Sequence, residues 1–305
     1  MNSWVLMMEI RIRMMQGRDL FGVPVIDELR LCYLAEPSLL KDLRDINLGE
    51  SRKIGDYYLY RIGNDKFEYF FLIIIEFDGA QVEIGEIKFG KYGVLDSTYL
   101  YFRIRNRILY NRALLKQALY LPELLGLFFN NFTAIDIALD HQKNFSAIIK
   151  RMMRNDRVTT ILNGKAVKDR NSVIKGLFFD YSSSLSRLHN PAVTIKQAKA
   201  AKNKAKGITV QSYDKKAEIL SCSGKEYILE RYGCPRYLYR LEVRLNYQEL
   251  RDYFKKEEKP QTLDILFDPA ELLRMFYYHL GSVLRFSLGR KPLPWQDVIN
   301  CNGRI

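Results

Sequence analysis

The sequence predicts an α+β protein with an antiparallel sheet at its core and helices flanking it. Three observations carry this. Alternating apolar and polar runs recur between residues 56 and 104, Asp78-Gly79 falls between two of them as a hairpin signal, and later segments switch to helical spacing. Strands are expected over 56–61, 67–77, 82–89 and 98–104, each rich in Tyr, Phe, Ile or Val. Residues 112–129 are richer in Leu and Ala and read as a helix, with Pro122 predicting a kink or two shorter helices.

A strand over 132–139 follows, then a helix over 144–155 whose Phe145, Ile148, Ile149 and Met152 form one apolar stripe. This strand-then-helix order reads as a repeating unit with crossover helices. Between residues 182 and 207 the texture turns small and basic. Lys196, Lys199, Lys202, Lys204 and Lys206 alternate with Ala and Gln, so the stretch is expected to be a mobile arm or solvated helix that adds little core. Ile208 and Val210 open a further strand that runs into a charged, helix-like turn, which would set Tyr213 and Lys215 on one face. In 237–245 the odd positions Tyr237, Tyr239, Leu241, Val243 and Leu245 face one way, and Leu238, Arg240, Glu242 and Arg244 the other. Helices over 247–256 and 269–286 complete the chain.

The 305 residues are 48% hydrophobic, enough to bury a substantial core. Forty-eight Lys and Arg against thirty-five Asp and Glu leave a net charge of +13, spread among 20 Tyr and 17 Phe. Excess cation of this size attracts polyanions, and its effect fades with salt. Cys32, Cys222, Cys234 and Cys301 show no C-x-x-C spacing and read as free thiols in a reducing cytoplasm. The longest apolar run, 69–75, is far short of the roughly 20 residues of a membrane helix, and no export signal is legible. The three histidines, His141, His189 and His279, form no zinc motif, and neither a Gly-x-Ser-x-Gly elbow nor a Walker loop is present. Zinc hydrolase, Ser-His-Asp and nucleotide-driven chemistry are therefore not expected.

Phosphoryl transfer requires a nucleophile, cations to neutralise the reacting oxygens, and acids to hold any metal. Candidates for all three exist. Tyr213 stands with Lys215, Lys216 and Glu218, while Asp136 and Asp140 share one face of a strand and Glu242 stands between Arg240 and Arg244. Each also has a plainer reading: acids on the solvent face of a half-buried strand, a surface charge ladder, a packing tyrosine.

Taken in order, Ala134-Ile-Asp136-Ile-Ala-Leu-Asp140, Tyr213-Asp-Lys215-Lys-Ala-Glu218 and Arg240-Leu-Glu242-Val-Arg244 resemble the motifs of the replication initiators of rolling-circle plasmids and filamentous phages. The resemblance covers about residues 110 to 255. It implies a relaxase-like fold with 1–109 as a strand-rich N-terminal region, 110–255 as the catalytic core and 256–305 as a C-terminal helical segment. It further implies a cytoplasmic, metal-dependent nickase that leaves a 3′-hydroxyl primer at an origin and later reseals the strand, working with a host helicase and polymerase. Tyr213 would be the nucleophile that takes the 5′ phosphate, with Lys215 stabilising charge beside it. Asp136, Glu218, Glu242 and Asp140 would be the candidate ligands of Mg²⁺ or Mn²⁺. Arg240 and Arg244 would hold DNA phosphates or the metal-binding carboxylates, and the lysines from Lys196 to Lys206 would track DNA. Two features depart from the family: the His-hydrophobic-His motif of the wider superfamily is missing, and Ala134 takes a place where Arg is common. A non-enzymatic origin-binding or copy-control protein and a mobilisation relaxase are the alternatives.

Overall fold

The computed structural model describes residues 20–91, 98–179, 193–196 and 207–304. It is an α+β structure with a large antiparallel sheet and flanking helices. The chain divides into two compact units, each assembled from separated stretches of sequence, so neither coincides with the linear segments 1–109, 110–255 and 256–305.

One unit, Ile26–Asp136 with Leu245–Asp264, is built on strands. β1 (Pro24–Leu34), β2 (Ser51–Ile54), β3 (Tyr57–Ile62), β4 (Phe67–Phe77), β5 (Ala80–Lys91), β6 (Tyr99–Ile104) and the first part of β7 (Phe128–His141) lie in the order β7-β1-β6-β5-β4-β3-β2. From β1 through β6 to β2 every neighbouring pair is antiparallel. Asp78 and Gly79 both take positive φ, 50° and 74°, the backbone that a two-residue hairpin loop requires. Leu29, Leu31, Leu59, Phe71, Ile73, Ile87, Phe89 and Phe102 are buried between the strands and their covering elements. The helix Arg112–Leu124 starts where the Asn111 side chain accepts from the Ala113 and Leu114 amides, both 3.1 Å, and Tyr57 donates to its Gln117 carbonyl at 2.8 Å. Pro122 falls in its last turn. Of the kink or division expected there, the division does not occur, and the helix ends at Leu124 so that Phe128 can open β7.

The other unit, Ile137–Arg244 with Ile265–Ile305 and the described residues before Ile26, bears the candidate site. Asn144 caps the helix Phe145–Arg154 through the Ala147 amide at 2.9 Å. β8 (Val158–Leu162) and β9 (Lys165–Ala166) follow, then β10 (Val193–Lys196), β11 (Thr209–Asp214), β12 (Tyr239–Asn246), β13 (Leu284–Leu288) and β14 (Lys291–Leu293). β10-β11-β12-β7 is one strand order and β14-β13-β8-β9 a second, small sheet. The apolar stripe of the helix Phe145–Arg154 is buried, and Ser146 Oγ lies 2.7 Å from Ser212 Oγ on β11.

Three expectations change. β8 enters the small sheet by antiparallel pairing with β13, so the helix before it is not the crossover of a repeated parallel unit. The basic stretch includes a true strand: Val193 and Ile195 of β10 are buried against β11, because two β-branched residues two apart suffice for one covered face. Lys199, Lys202, Lys204 and Lys206 lie outside the described residues. The last long helix, Pro269–Val283, stops before Phe286: Leu284–Leu288 continue as β13, paired with β8 and β14, with Trp295 Nε1 donating to the Leu284 carbonyl at 2.9 Å.

Gly85 of β5 tests the packing. A Cβ there would stand 2.4 Å from the Arg103 carbonyl oxygen and 2.7 Å from the Phe102 ring. Gly85→Ala is expected to lose about 1–3 kcal/mol in urea unfolding through overpacking.

Candidate catalytic site around Tyr213

The site follows from the register of two strands. β11 and β12 run antiparallel with Tyr213 opposite Arg240, Gln211 opposite Glu242 and Thr209 opposite Arg244. These six side chains share one face, and Ser212, Val210, Leu241 and Val243 share the other, which carries the helix Phe145–Arg154. Across the diagonal, within reach of an aromatic side chain, the Tyr213 hydroxyl donates to Glu242 Oε2 at 3.1 Å. Arg244 Nε donates to Glu242 Oε1 at 2.5 Å. Glu242 has no solvent exposure while the Arg244 side chain is 48% exposed. Both oxygens of a buried carboxylate are thus satisfied, one by a cation and one by the phenol proposed to react.

Lys215 comes in from the turn that ends β11. Asp214 caps that turn by accepting from the Ala217 amide at 2.9 Å, and the Lys215 and Lys216 amides both donate to the Leu238 carbonyl, at 2.8 and 3.1 Å. This folds the chain back so that Lys215 is buried, with Nζ 5.7 Å from the Tyr213 ring centroid and 2.8 Å from Glu218 Oε2. The expectation that Tyr213 and Lys215 stand together is met by this turn rather than by strand alternation. Lys216 is held apart, its Nζ donating to the Pro235 carbonyl at 2.8 Å.

Beneath these groups lies a second polar cluster. Arg240 and Asp140 are both fully buried, joined by Nε to Oδ1 at 2.7 Å and Nη2 to Oδ2 at 2.6 Å. The Tyr232 hydroxyl donates to Asp140 Oδ2 at 3.1 Å. Burial, followed by the Asp140 charge, pushes the Tyr232 phenol far above its ordinary range, so it stays a donor. Phe21 stacks on Tyr232 with centroids 5.2 Å apart. His141 accepts from the Lys143 amide through Nδ1 at 2.9 Å, and burial, then the Lys143 charge, lowers its pKa, so it remains a neutral strand-end residue.

The polar face of β12 is therefore interior at Arg240 and Glu242 and reaches solvent at Arg244. Arg240 and Glu242 are buried rather than a surface ladder, and the Arg240 guanidinium is spent on the Asp140 carboxylate. Asp140 does not fit a metal ligand, because both its oxygens face Arg240 or Tyr232. Glu218 pairs with Lys215 and Glu242 with Arg244, and among the described residues no three His, Cys, Asp or Glu side chains converge as a metal group. The donor set as arranged does not fit Mg²⁺ or Mn²⁺. Asp136 is half-buried on β7, at the last residue of the strand-rich unit. Lys196 is exposed at the end of β10, its carbonyl accepting from Asn163 Nδ2 at 3.3 Å.

Sequence reading missed Tyr232, whose one signal was an aromatic in a polar stretch, and the Arg240–Asp140 pair, whose partners are a hundred positions apart. No protein-family model matches the chain, and no curated protein matches it.

Asp140→Ala is expected to cost about 3–5 kcal/mol by stranding the buried Arg240 charge, and adding Arg240→Met should restore most of it. Urea unfolding of the single and double variants checks this, and neither result should change when Mn²⁺ is added.

Proposed function

We propose that the protein is a DNA strand transferase that initiates rolling-circle replication, nicking one strand at an origin with Tyr213 and resealing it afterwards. The observation that supports this reading best is the Tyr213 hydroxyl hydrogen-bonded at 3.1 Å to buried Glu242, with the Lys215 ammonium beside the ring. A phenol with an ordinary pKa of about 10 must lose its proton to attack phosphorus near neutral pH. Glu242 is placed to receive it, and Lys215 and Arg244 to favour the negative charge that builds during attack.

In the forward step Tyr213 Oη bonds to the phosphorus of the scissile phosphodiester as the bond to the 3′ oxygen breaks. The phenol proton passes to Glu242 and the departing oxygen takes one from water, leaving a 3′-hydroxyl for a host polymerase. One phosphodiester is exchanged for another, so the reverse attack by a 3′-hydroxyl reseals DNA without a nucleotide cofactor. Arg244, half in solvent, is the cation of this face best placed to meet a DNA phosphate. Dependence on Mg²⁺ or Mn²⁺ remains part of the proposal through the resemblance alone, and no step above runs through a metal. The basic balance of +13 suits a nucleic-acid partner.

Supercoiled DNA of the parent replicon, incubated with Mg²⁺ or Mn²⁺, is expected to be nicked at one site. Tyr213→Phe should leave no detectable nicking but unchanged duplex binding, and Glu242→Gln should slow nicking by about 10²–10⁴-fold. Nicking by Tyr213→Phe at the wild-type rate would overturn the proposal, and binding without cleavage under all metal conditions would favour a copy-control protein.

A further inference from the structure

The face of β11 and β12 opposite Tyr213 carries a second set of groups with no part in the chemistry above. Tyr237 is 48% exposed, lies nearly parallel to Tyr239 with centroids 6.4 Å apart at 16°, and has the Arg236 guanidinium 5.1 Å from its ring centroid. Tyr239 lies beside Asn144, the residue that caps the helix Phe145–Arg154. From that cap the helix runs about 15 Å to Arg154 at the ordinary rise per residue. Along it, Ala147, Lys150, Arg151, Arg154 and Asn155 line an open groove of ≈ 480 Å³. None of these lining residues is acidic. Arg151 donates to the Asn302 carbonyl, a neutral partner, and no ion pair of Arg151 is present among the described residues. Asp156, just beyond, is paired with Arg170 at 3.1 Å.

An exposed tyrosine backed by a half-buried one at one end and a run of cations leading away from it are the two parts of a single-strand binding track: a stacking platform for a base and positive charge for phosphates. We propose that this layer binds single-stranded DNA, with a base stacked on Tyr237 and the following phosphates on Arg151 and Arg154. Arg236 is an exposed side chain on a flexible stem. A base takes the ring face it covers, and the guanidinium moves to the flanking phosphate. A platform at the start of β12 would hold the strand near the end of β11 where Tyr213 stands. The choice of DNA rests on the function proposed above; the binding itself does not require cleavage.

Fluorescence anisotropy with a labelled single-stranded oligonucleotide tests this in the full-length chain and in Tyr213→Phe. Tyr237→Ala is expected to weaken binding about tenfold and Tyr237→Phe by less than about twofold, because stacking needs the ring and not the hydroxyl. Neutralising two cations in Arg151→Gln/Arg154→Gln should lower the slope of log affinity against log salt by about 1.4. Unchanged binding by Tyr237→Ala, equal losses for Phe and Ala, or an unchanged salt slope would each overturn the proposal. If Tyr237-dependent binding is found in a protein that never nicks, the track stands and the catalytic reading falls. If the protein nicks but Tyr237→Ala binds as tightly as wild type, the track falls and the catalytic reading stands.

Discussion

The Arg240–Asp140 pair is the constraint on which the rest of the site depends. An arginine with no solvent exposure is stable only if its charge is met at close range with its donors used, and the two-point contact to Asp140 does this. Tyr232 completes the shell of the carboxylate. The pair also fixes position. Slipping β12 by one residue would turn Arg240 to the other face and strand both charges. Glu242, two residues further along the same strand, is thereby held at the depth where the Tyr213 diagonal reaches it.

Two carboxylates on one unit thus serve different ends. Asp140 is closed off by an arginine and a tyrosine and acts as an anchor. Glu242 is equally buried, yet its partners are a half-exposed arginine and a phenol, the groups to which the proposed function gives the phosphate contact and the attack on phosphorus. Their environments, more than their residue type, separate the anchor from the carboxylate proposed to react. The same holds for the tyrosines: Tyr232 is a permanent donor in the interior, Tyr213 is the one beside a lysine and an acid, and Tyr237 presents its ring to solvent.

Much of the fold was legible in the sequence because local rules coincide with the tertiary answer. Asp78-Gly79 marked its hairpin, and the 145–152 stripe marked its helix, since turn chemistry and 3.6-residue spacing are local properties. At Pro122 the sequence offered a kink or a division into two helices, and the division does not occur: Pro122 lies within the single helix Arg112–Leu124, two residues before its end. Alternation in β12 separated its two faces correctly but could not say that Arg240 and Glu242 on the charged face are interior, since polarity alone reads as exposure. That required the partner of Arg240, a hundred residues away, and the Leu238 carbonyl that folds Lys215 inward. β10 was hidden for a related reason: four residues inside a lysine-rich stretch carry too short a pattern to stand out.

The most direct measurement of the central claim is to identify the residue that becomes joined to DNA. After the protein acts on a single-stranded oligonucleotide, protease digestion and tandem mass spectrometry locate the attached nucleotide. The geometry predicts one phosphodiester on Tyr213, within the peptide that contains Lys215. Cleaved DNA with no adduct, or an adduct on another tyrosine such as Tyr239, would contradict it.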